Sequence, residues 1–232
     1  ALRRIAAAMS PWMPWCVVVW FVGVFSVSVW NLGGWTVAQR LKRLGTNPIG
    51  EEISHRLSTL AERTGINRSV AIMKSLMVEV PVVVGWLRPM ILLPARVLTG
   101  LTPAELDAIL AHELAHIRRH DYLVNLVQTV IETLFFYHPG VWWLSRQIRS
   151  ERELCCDDIA VAVCGNKIDY ASALAAVEAG RGAPKMVMGA CKADSSTLGR
   201  VRRVLGLAGG TSCRWGRSLA GGLITATMIV AL

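Results

Sequence analysis

The stretch LTPAELDAILAHELAHIRRHD, residues 101–121, carries two histidines four positions apart, His112 and His116, and a glutamate, Glu113, directly after the first. Residues four apart lie on the same face of an α-helix, so both imidazoles can reach one metal ion. Glu113 then lies beside the water molecule that the ion would bind. This spacing therefore predicts a helical metal site with catalytic chemistry rather than two unrelated surface histidines.

Capping residues mark the helix boundaries around this motif. Thr102, Pro103 and Glu105 predict the start of the motif helix. Threonine caps a helix, proline suits the first helical position, and glutamate two residues later completes a capping box. Asp121 can cap a second helix through about residue 137, and Pro139 opens a third through about residue 163. Two further helices are therefore expected to follow the motif helix closely.

A third metal ligand is expected from the segment ERELCCDD, residues 151–158. A catalytic zinc ion takes three protein ligands and leaves its fourth position open to water. Glu153 and Asp157 lie one turn apart on one helical face, whereas Glu151 points to the opposite, apolar side. A competing interpretation is an exposed polar face in which Arg149 pairs with Glu153. Spacing alone leaves both glutamates open as ligands.

The second helix, residues 121–137, is apolar except for one polar stripe. Asn125, Gln128 and Glu132 recur along one side of it. A helix that faces lipid on all sides rarely keeps such a stripe. We therefore expect this helix to pack against protein and not to face lipid as a further span.

The patterns before the motif indicate a mainly α-helical fold with a small β-sheet, the α+β class. PIGEEISHRLSTLAERTGI, residues 48–66, has the apolar spacing of an amphipathic helix. SVAIMKS, residues 69–75, and VEVPVVVGWLRPMILLP, residues 78–94, are rich in β-forming residues. The second run divides at residues 85–89 into two apolar arms, which predicts a hairpin or paired edge strands.

The N-terminal region predicts a transmembrane helix over residues 12–38. No charged residue occurs between Ile5 and Gln39, and the apolar stretch exceeds the roughly 20 residues that cross a bilayer core. Tryptophans lie near its ends, as they do at membrane interfaces. A signal peptide is the competing interpretation, but its apolar core is only about 7–15 residues long. Residues 1–11 are expected to be extracytoplasmic.

A second apolar segment, SLAGGLITATMIVAL, covers residues 218–232. It falls short of the roughly 17 residues needed to span, so we expect the start of a second transmembrane helix in a fragment of a longer membrane protein. Residues 180–217 contain many small residues and turn formers and then basic residues, which predicts a linker and a juxtamembrane segment. Residues 39–179 remain as the candidate catalytic domain.

Membrane topology explains the net charge of +9 better than nucleic-acid binding does. Basic residues follow the first apolar segment and precede the second, so the positive-inside rule places residues 40–217 in the cytoplasm. No basic recognition motif accompanies the charge, and we expect no direct contact with nucleic acid. The six cysteines lack C-x-x-C spacing, which argues against a zinc cluster formed by Cys155, Cys156 and Cys164.

Four segments together resemble one family of membrane peptidases. They are LRPMILLP (87–94), LAHELAHIRRHDYLVNLVQ (110–128), FFYHPGVWW (135–143) and ERELCCDDIAV (151–161). In order and spacing they are similar to the BlaR/MecR-type membrane metallopeptidases, the antirepressor signal transducers of bacteria. A more distant resemblance is to the CAAX prenyl protease and HtpX group. The resemblance covers about residues 12–232.

This resemblance implies a gluzincin-like zinc protease domain inserted between transmembrane helices, with one Zn²⁺ per chain. His112 and His116 match the zinc ligands of the family, Glu113 its catalytic glutamate and Glu153 its third ligand. Asp157 completes the E-x-x-x-D pattern, and its carboxylate would accept a hydrogen bond that fixes a histidine ring. Family members have further transmembrane helices and often a sensor domain, so the signal that is sensed stays open.

The motif and the resemblance together predict a multi-pass zinc endopeptidase of the bacterial cytoplasmic membrane with a cytoplasmic active site. The family suggests regulated proteolysis of a cytoplasmic repressor, of the chain itself, or of both. The segment GRVRRVLG, residues 199–206, follows the linker and is a candidate for self-cleavage. Two alternatives stay open, an HtpX-like quality-control protease and a non-catalytic, zinc-containing membrane receptor.

Two parts of the catalytic machinery are less well defined by the sequence. His138, Tyr137 and His120 are candidates for stabilising an oxyanion, although each also suits a structural role. Residues 82–84 or 90–93 could bind the substrate as an added β-strand.

Overall fold

The computed structural model describes residues 12–41, 46–85, 88–180 and 193–207. Most of these residues are helical, and the strands among them form one small mixed sheet. The predicted mainly α fold with a small β-sheet is therefore confirmed. The extracytoplasmic segment, much of the predicted linker and the second apolar segment lie outside the described residues.

In the described part of the chain a long helix comes first, followed by a small sheet interleaved with helices and then by a helical bundle. The helices are α1 (Met13–Leu41), α2 (Glu51–Thr64), α3 (Ala95–Gly100), α4 (Pro103–Arg118), α5 (Asp121–Leu134), α6 (Pro139–Cys164), α7 (Lys167–Gly180) and α8 (Ala193–Val204). The strands are β1 (Thr46–Pro48), β2 (Ala71–Ser75), β3 (Val82–Val84) and β4 (Met90–Pro94). The helices predicted before, within and after the motif all form, as α2, α4, α5 and α6.

The strand order in the sheet is β1-β2-β4-β3. β2 and β4 pair in parallel, whereas β1 pairs antiparallel with β2. β3 pairs antiparallel with β4 and places Val83 opposite Ile91, which confirms that the two apolar arms pair. β4 has a neighbouring strand on both sides, while β3 forms an edge of the sheet in the described part of the chain.

α4 is the central helix and is held on both sides. Its start has the predicted capping box: the Glu105 backbone N–H donates to Thr102 Oγ1 at 3.3 Å, and the Thr102 N–H donates to the Glu105 carboxylate at 2.9 Å. One face packs Leu110 and Leu114 against α2 and the sheet. The other face carries small residues such as Ala108, which let α6 and α7 approach closely. The core therefore fixes the histidine pair in position.

α5 and the start of α6 form a helical hairpin, here called the α5–α6 hairpin (residues 121–149), with polar residues inside. Gln128 and Glu132 are buried; Gln128 donates to the Ser145 carbonyl at 3.2 Å, and Glu132 pairs with Arg149 at 2.5 Å. This part of the polar stripe therefore faces protein, as predicted. The apolar side chains on the rest of this helix, in contrast, are exposed. They are Leu123, Val124, Leu126, Val127, Val130, Ile131 and Leu134.

α1 is long and apolar enough to cross a membrane. The most apolar part of this helix is not buried within the protein at all. Two hydrogen bonds join α1 to the end of α5. The Trp20 indole N–H donates to the Leu134 carbonyl at 3.0 Å, and Asn31 Nδ2 donates to Thr133 Oγ1 at 3.1 Å.

Gly23 lets α1 lie close to the hairpin, because a Cβ at this position would overlap the Phe136 ring. We expect Gly23→Leu to force the two elements apart and to lower the free energy of unfolding by about 1–3 kcal/mol, the usual cost of overpacking. Gly33→Leu on the same helix is the control, since a Cβ there meets nothing within 4 Å. Thermal unfolding of both variants measures the difference, and equal melting temperatures would contradict the contact.

α8 lies within the stretch predicted as a linker, residues 180–217, but it packs against the domain. It contacts α6 and α7, and Val204 at its end is buried. Most of the segment 199–206 is therefore helical and is not the exposed, extended segment that self-cleavage requires. The small residues before α8 dominate the local composition, and composition alone therefore indicates a linker here.

Candidate metal centre

Two histidines of α4 and one glutamate of α6 converge on one point. The rings of His112 and His116 are 4.8 Å apart and nearly perpendicular. Glu153 places one carboxylate oxygen 3.6 Å from His112 Nε2 and the other 3.7 Å from His116 Nε2. These separations are near the roughly 3.4 Å expected between ligand atoms around zinc. Glu151, the alternative ligand, points elsewhere and accepts a hydrogen bond from Gln147 at 3.4 Å.

Each histidine ring is oriented by a carboxylate on its other nitrogen. His116 Nδ1 donates to Asp121 Oδ2 at 2.7 Å, and His112 Nδ1 lies 3.3 Å from Asp157 Oδ1. The Tyr170 hydroxyl donates to the same Asp157 oxygen at 2.6 Å and lies 2.9 Å from His112 Nδ1. Both rings therefore direct Nε2 towards Glu153, as metal-binding histidines with carboxylate partners do. This donor set fits a zinc ion.

The sequence predicts Asp157 in this orienting role, but not Asp121 or Tyr170. Asp121 has the pattern of a helix cap, yet in the structure it is the first residue of α5 and its side chain bonds to His116. His120 before it has a φ of 56°, a left-handed conformation that costs a non-glycine residue about 1–2 kcal/mol. The sharp turn at His120 brings Asp121 back to the motif. Tyr170 lies on α7, too far along the chain for a local pattern to reveal its contact.

A second group of potential ligands comprises His116, Asp121 and Cys156. Cys156 Sγ lies 3.3 Å from His116 Nδ1 and 3.5 Å from Asp121 Oδ2. Burial raises the pKa of the Cys156 thiol, and the neighbouring Asp121 carboxylate raises it further. Because zinc binds the thiolate, this group suits the ion less well than the first group does.

Arg200 of α8 completes the charged cluster. Its Nη1 lies 3.2 Å from Glu153 Oε2, and its Nε donates to Asp157 Oδ2 at 2.9 Å. Asp157 is fully buried, and burial alone would raise its pKa. Hydrogen bonds from His112 and Arg200 nevertheless hold the Asp157 pKa well below its usual value, so this carboxylate stays ionised. Arg200 comes 43 residues after Asp157, and local sequence patterns do not reveal the contact.

We expect Arg200→Met to destabilise the protein by about 3–5 kcal/mol, because it leaves the buried Asp157 carboxylate without its cation. At about 2–4 °C per kcal/mol for a chain of this size, the melting temperature should fall by about 10 °C. Arg202→Met is the matched control on the same helix, since Arg202 is exposed. Thermal unfolding of the two variants checks this expectation, and a similar small loss in both would show that the pair contributes little.

Glu113 lies beside the ligands and is almost fully buried, with 8% of its surface exposed. Burial raises the pKa of its carboxyl above the usual range. Such a shift suits a group that takes up a proton and releases it near neutral pH. Burial would lower the pKa of His112, but hydrogen bonds to Asp157 and Glu153 raise it to about 9. A metal ion at Nε2 must displace that proton, since only the neutral ring is a ligand.

The convergent side chains open into a cleft of about 410 Å³. Glu113, His120 and residues of the edge strand β3 line this cleft. Of the predicted oxyanion donors, His120 is therefore close to the centre. Tyr137 and His138 are not, because they follow the far end of α5, whose 14 residues span about 21 Å.

The chain is similar to known proteins over most of its length. Residues 5–204 match the family model described as BlaR1 peptidase M56. The chain is similar to Regulatory protein BlaR1 of Bacillus licheniformis, with 25% identity over 150 residues that cover 65% of this chain and 25% of that protein. It is also similar to the Methicillin resistance mecR1 protein of Staphylococcus aureus, with 27% identity over 90 residues, 39% of this chain and 15% of that protein.

A shorter match connects the chain with Protease HtpX homolog 2 of Methanosarcina acetivorans, at 46% identity over 41 residues, 18% of this chain and 14% of that protein. Each match thus spans a quarter or less of the relative's length. The family match, in contrast, extends over most of the chain and includes α4, α6 and the helix that contributes Arg200. The chain therefore belongs to the BlaR1 peptidase M56 family, whose members are membrane-associated metallopeptidases of the signal-transducer type.

Proposed function

We propose that this chain is the catalytic part of a zinc endopeptidase that is anchored in the bacterial cytoplasmic membrane and has its active site in the cytoplasm. The observation that carries this proposal is the convergence of His112 Nε2, His116 Nε2 and the Glu153 carboxylate beside the buried Glu113. A purely structural zinc site would not need a buried glutamate next to its ligands. The arrangement therefore favours an enzyme over a non-catalytic receptor.

In the proposed mechanism His112, His116 and Glu153 would hold one Zn²⁺ per chain. Bound there, the ion would supply polarisation of the scissile carbonyl and a lowered pKa, about 7, for the attacking water. Glu113 takes the proton from the attacking water and later gives it to the leaving amine, which its raised pKa favours. Asp157 and Asp121 hold the two imidazoles in orientation throughout.

Stabilisation of the oxyanion is assigned to the cleft side of α4 and α5. His120 is the remaining candidate among the predicted donors, because it lines the cleft while Tyr137 and His138 lie at the other end of α5. A ring N–H of His120 would be available to a substrate carbonyl bound in the cleft.

The substrate is proposed to bind as an added strand along β3. This strand lies at the edge of the sheet and lines the cleft, so its backbone groups can pair with an extended peptide. β4, the other predicted candidate, is paired on both sides and has no edge to offer. An extended substrate would thereby be presented to Glu113 with its backbone already aligned.

We propose a cytoplasmic repressor as the physiological substrate, with the chain itself as a second one. The relatives named as a regulatory protein and as a methicillin resistance protein support a regulatory role. A self-cleavage site must lie outside α8, because a helix cannot be bound as a strand. The HtpX relative favours a second candidate, a protease for membrane protein quality control.

Comparison of cells that produce the wild type with cells that produce Glu113→Gln tests the proposal. New protein N-termini that depend on the wild type identify the substrates. One or a few regulatory proteins among them would support regulated proteolysis, whereas a broad set of membrane proteins would favour quality control. If wild type and variant gave identical N-termini while the purified wild type contained zinc, the chain would be a non-catalytic receptor.

The expected topology places the domain between α1 and residue 217 in the cytoplasm, because basic residues such as Arg40 follow α1 directly. We expect a cysteine at the exposed position of Glu62 on α2 to resist an impermeant maleimide in intact cells and to react after permeabilisation. Labelling in intact cells to the level of permeabilised cells would place the domain outside and contradict the proposed orientation.

A further inference from the structure

We propose that the α5–α6 hairpin inserts into the bilayer beside α1 as a re-entrant element, with the acyl chains of membrane lipids against its exposed apolar face. The inference rests on the proposed function in one respect, that α1 spans the membrane. It adds a second membrane contact, made by the helix that directly follows the metal-binding motif.

The composition of the hairpin is that of a membrane-embedded segment. Between Tyr122 and Ser145 the one charged residue is Glu132, and it is buried and paired with Arg149. The apolar side chains on the opposite side of α5 are exposed, among them Val127 at 57% and Val130 at 51%. Ionisable groups inside and apolar groups outside are the reverse of a water-exposed helix and typical of a helix in lipid.

Three carbonyls at the turn of the hairpin have donors within the protein. The carbonyl of Leu134 accepts the Trp20 indole N–H at 3.0 Å, and that of Phe136 accepts the Trp142 indole N–H at 2.8 Å. The carbonyl of Phe135 between them accepts the backbone N–H of His138 at 2.9 Å. A helix end on a water-exposed surface has solvent for these carbonyls, whereas a helix end in hydrocarbon must find internal donors.

The contacts with α1 set the depth of the hairpin. Phe136 packs on Gly23. Trp35 is one of the tryptophans near the end of the apolar stretch, where the interface is expected, and Gly23 precedes it by 12 positions, so it lies about 18 Å further into the membrane. That depth is about half of a bilayer, whose hydrocarbon core is about 30 Å thick. α5 itself is about 21 Å long, so its first residue, Asp121, returns to the level of the interface.

The charged residues of α6 agree with this depth. Arg146 is the first of them, seven positions and about 10 Å along the helix from Pro139. Its backbone would lie about 8 Å below the interface, a distance that an arginine side chain covers when it extends towards water. Since Asp121 bonds to His116, the same geometry places the metal centre at the membrane surface, next to membrane-proximal substrates.

Photolabelling of the intact protein in vesicles of phosphatidylcholine and phosphatidylglycerol tests the proposal. A hydrophobic diazirine that partitions into the acyl-chain region should label α1 and the α5–α6 hairpin to similar extents, about tenfold above α2. Labelling of α1 without labelling of the hairpin would overturn this inference and leave the proposed function intact. The apolar face of α5 would then be covered by water, by other helices or by a second copy of the chain, and not by lipid. Absence of label from α1 itself would contradict the membrane anchor of the proposed function.

Substitutions give an independent measurement. Val127→Lys should lower the melting temperature in vesicles by about 5–10 °C, because it places a charge in hydrocarbon. Val127→Leu should leave it unchanged, as should Ile168→Lys at the start of α7, where the parent side chain is also exposed. If Val127→Lys melted with the wild type, α5 would face water and the inference would fail.

Discussion

Glu113→Gln is expected to bind zinc like the wild type and to lose hydrolysis by about 10²–10⁴-fold, the contribution of a positioned general base. The amide has nearly the same size as the carboxyl, and Glu113 is not among the three side chains that converge as ligands. The glutamine amide, unlike the carboxylate, cannot accept the proton of the attacking water. Zinc content by atomic emission and the cleavage rate of an identified substrate, measured on the same preparation, check the prediction.

The control for this variant is Glu105→Gln, which changes a glutamate of the same helix far from the ligands. Glu105 belongs to the capping box at the start of α4, so the change affects local stability and not the chemistry. Turnover by Glu113→Gln at the rate of the control would remove Glu113 from the mechanism. Loss of zinc from Glu113→Gln would instead indicate that this side chain supports the metal.

Glu153→Ala is expected to lose zinc altogether, while Glu151→Ala retains it. Glu153 faces both imidazoles, and Glu151 two positions earlier on α6 is bonded to Gln147 instead. The pair is a matched test, because both variants remove one carboxylate from the same helix. Metal content of the purified variants decides between the two glutamates, and zinc bound by Glu153→Ala but not by Glu151→Ala would reverse the assignment.

Asp157→Asn provides the intermediate case. The asparagine keeps the size of the side chain but weakens its hold on His112, and loss of such a partner costs about 10–100-fold in metal affinity. Titration with a zinc chelator measures the affinity of the variant. Zinc affinity is therefore expected to fall in the order Glu151→Ala, Asp157→Asn, Glu153→Ala. If Asp157→Asn bound zinc as tightly as the wild type, Asp157 would not be needed to orient His112.

The main helices and part of the centre could be predicted from sequence because their signals are local. The capping box at Thr102 and the four-residue spacing of the histidines each lie within one helix, and both are found in the structure. The preference for Glu153 came from the family pattern, and the geometry agrees with it. Local chain geometry decides the helix cap and the histidine spacing, so a short window of sequence contains both, whereas the choice between the two glutamates needed the family resemblance.

The partners that support the centre could not be predicted because they depend on distant segments. Tyr170 and Arg200 reach the site from α7 and α8, and nothing in their local sequence distinguishes them from surface residues. The exposed apolar face of α5 was also missed. A polar stripe shows that one side of a helix faces protein, but it does not show whether the other side is covered by protein or by lipid.

The docking of α8 also has a thermodynamic consequence. Arg200 contacts both Glu153, which faces the metal position, and Asp157, which orients His112. Docking of α8 against the domain and binding of zinc are therefore coupled equilibria. Linkage makes this coupling reciprocal: whatever factor α8 docking applies to zinc affinity, zinc applies to the docking equilibrium. Hydrogen exchange in the amides of α8 should therefore change when zinc is removed, although no ligand lies on that helix.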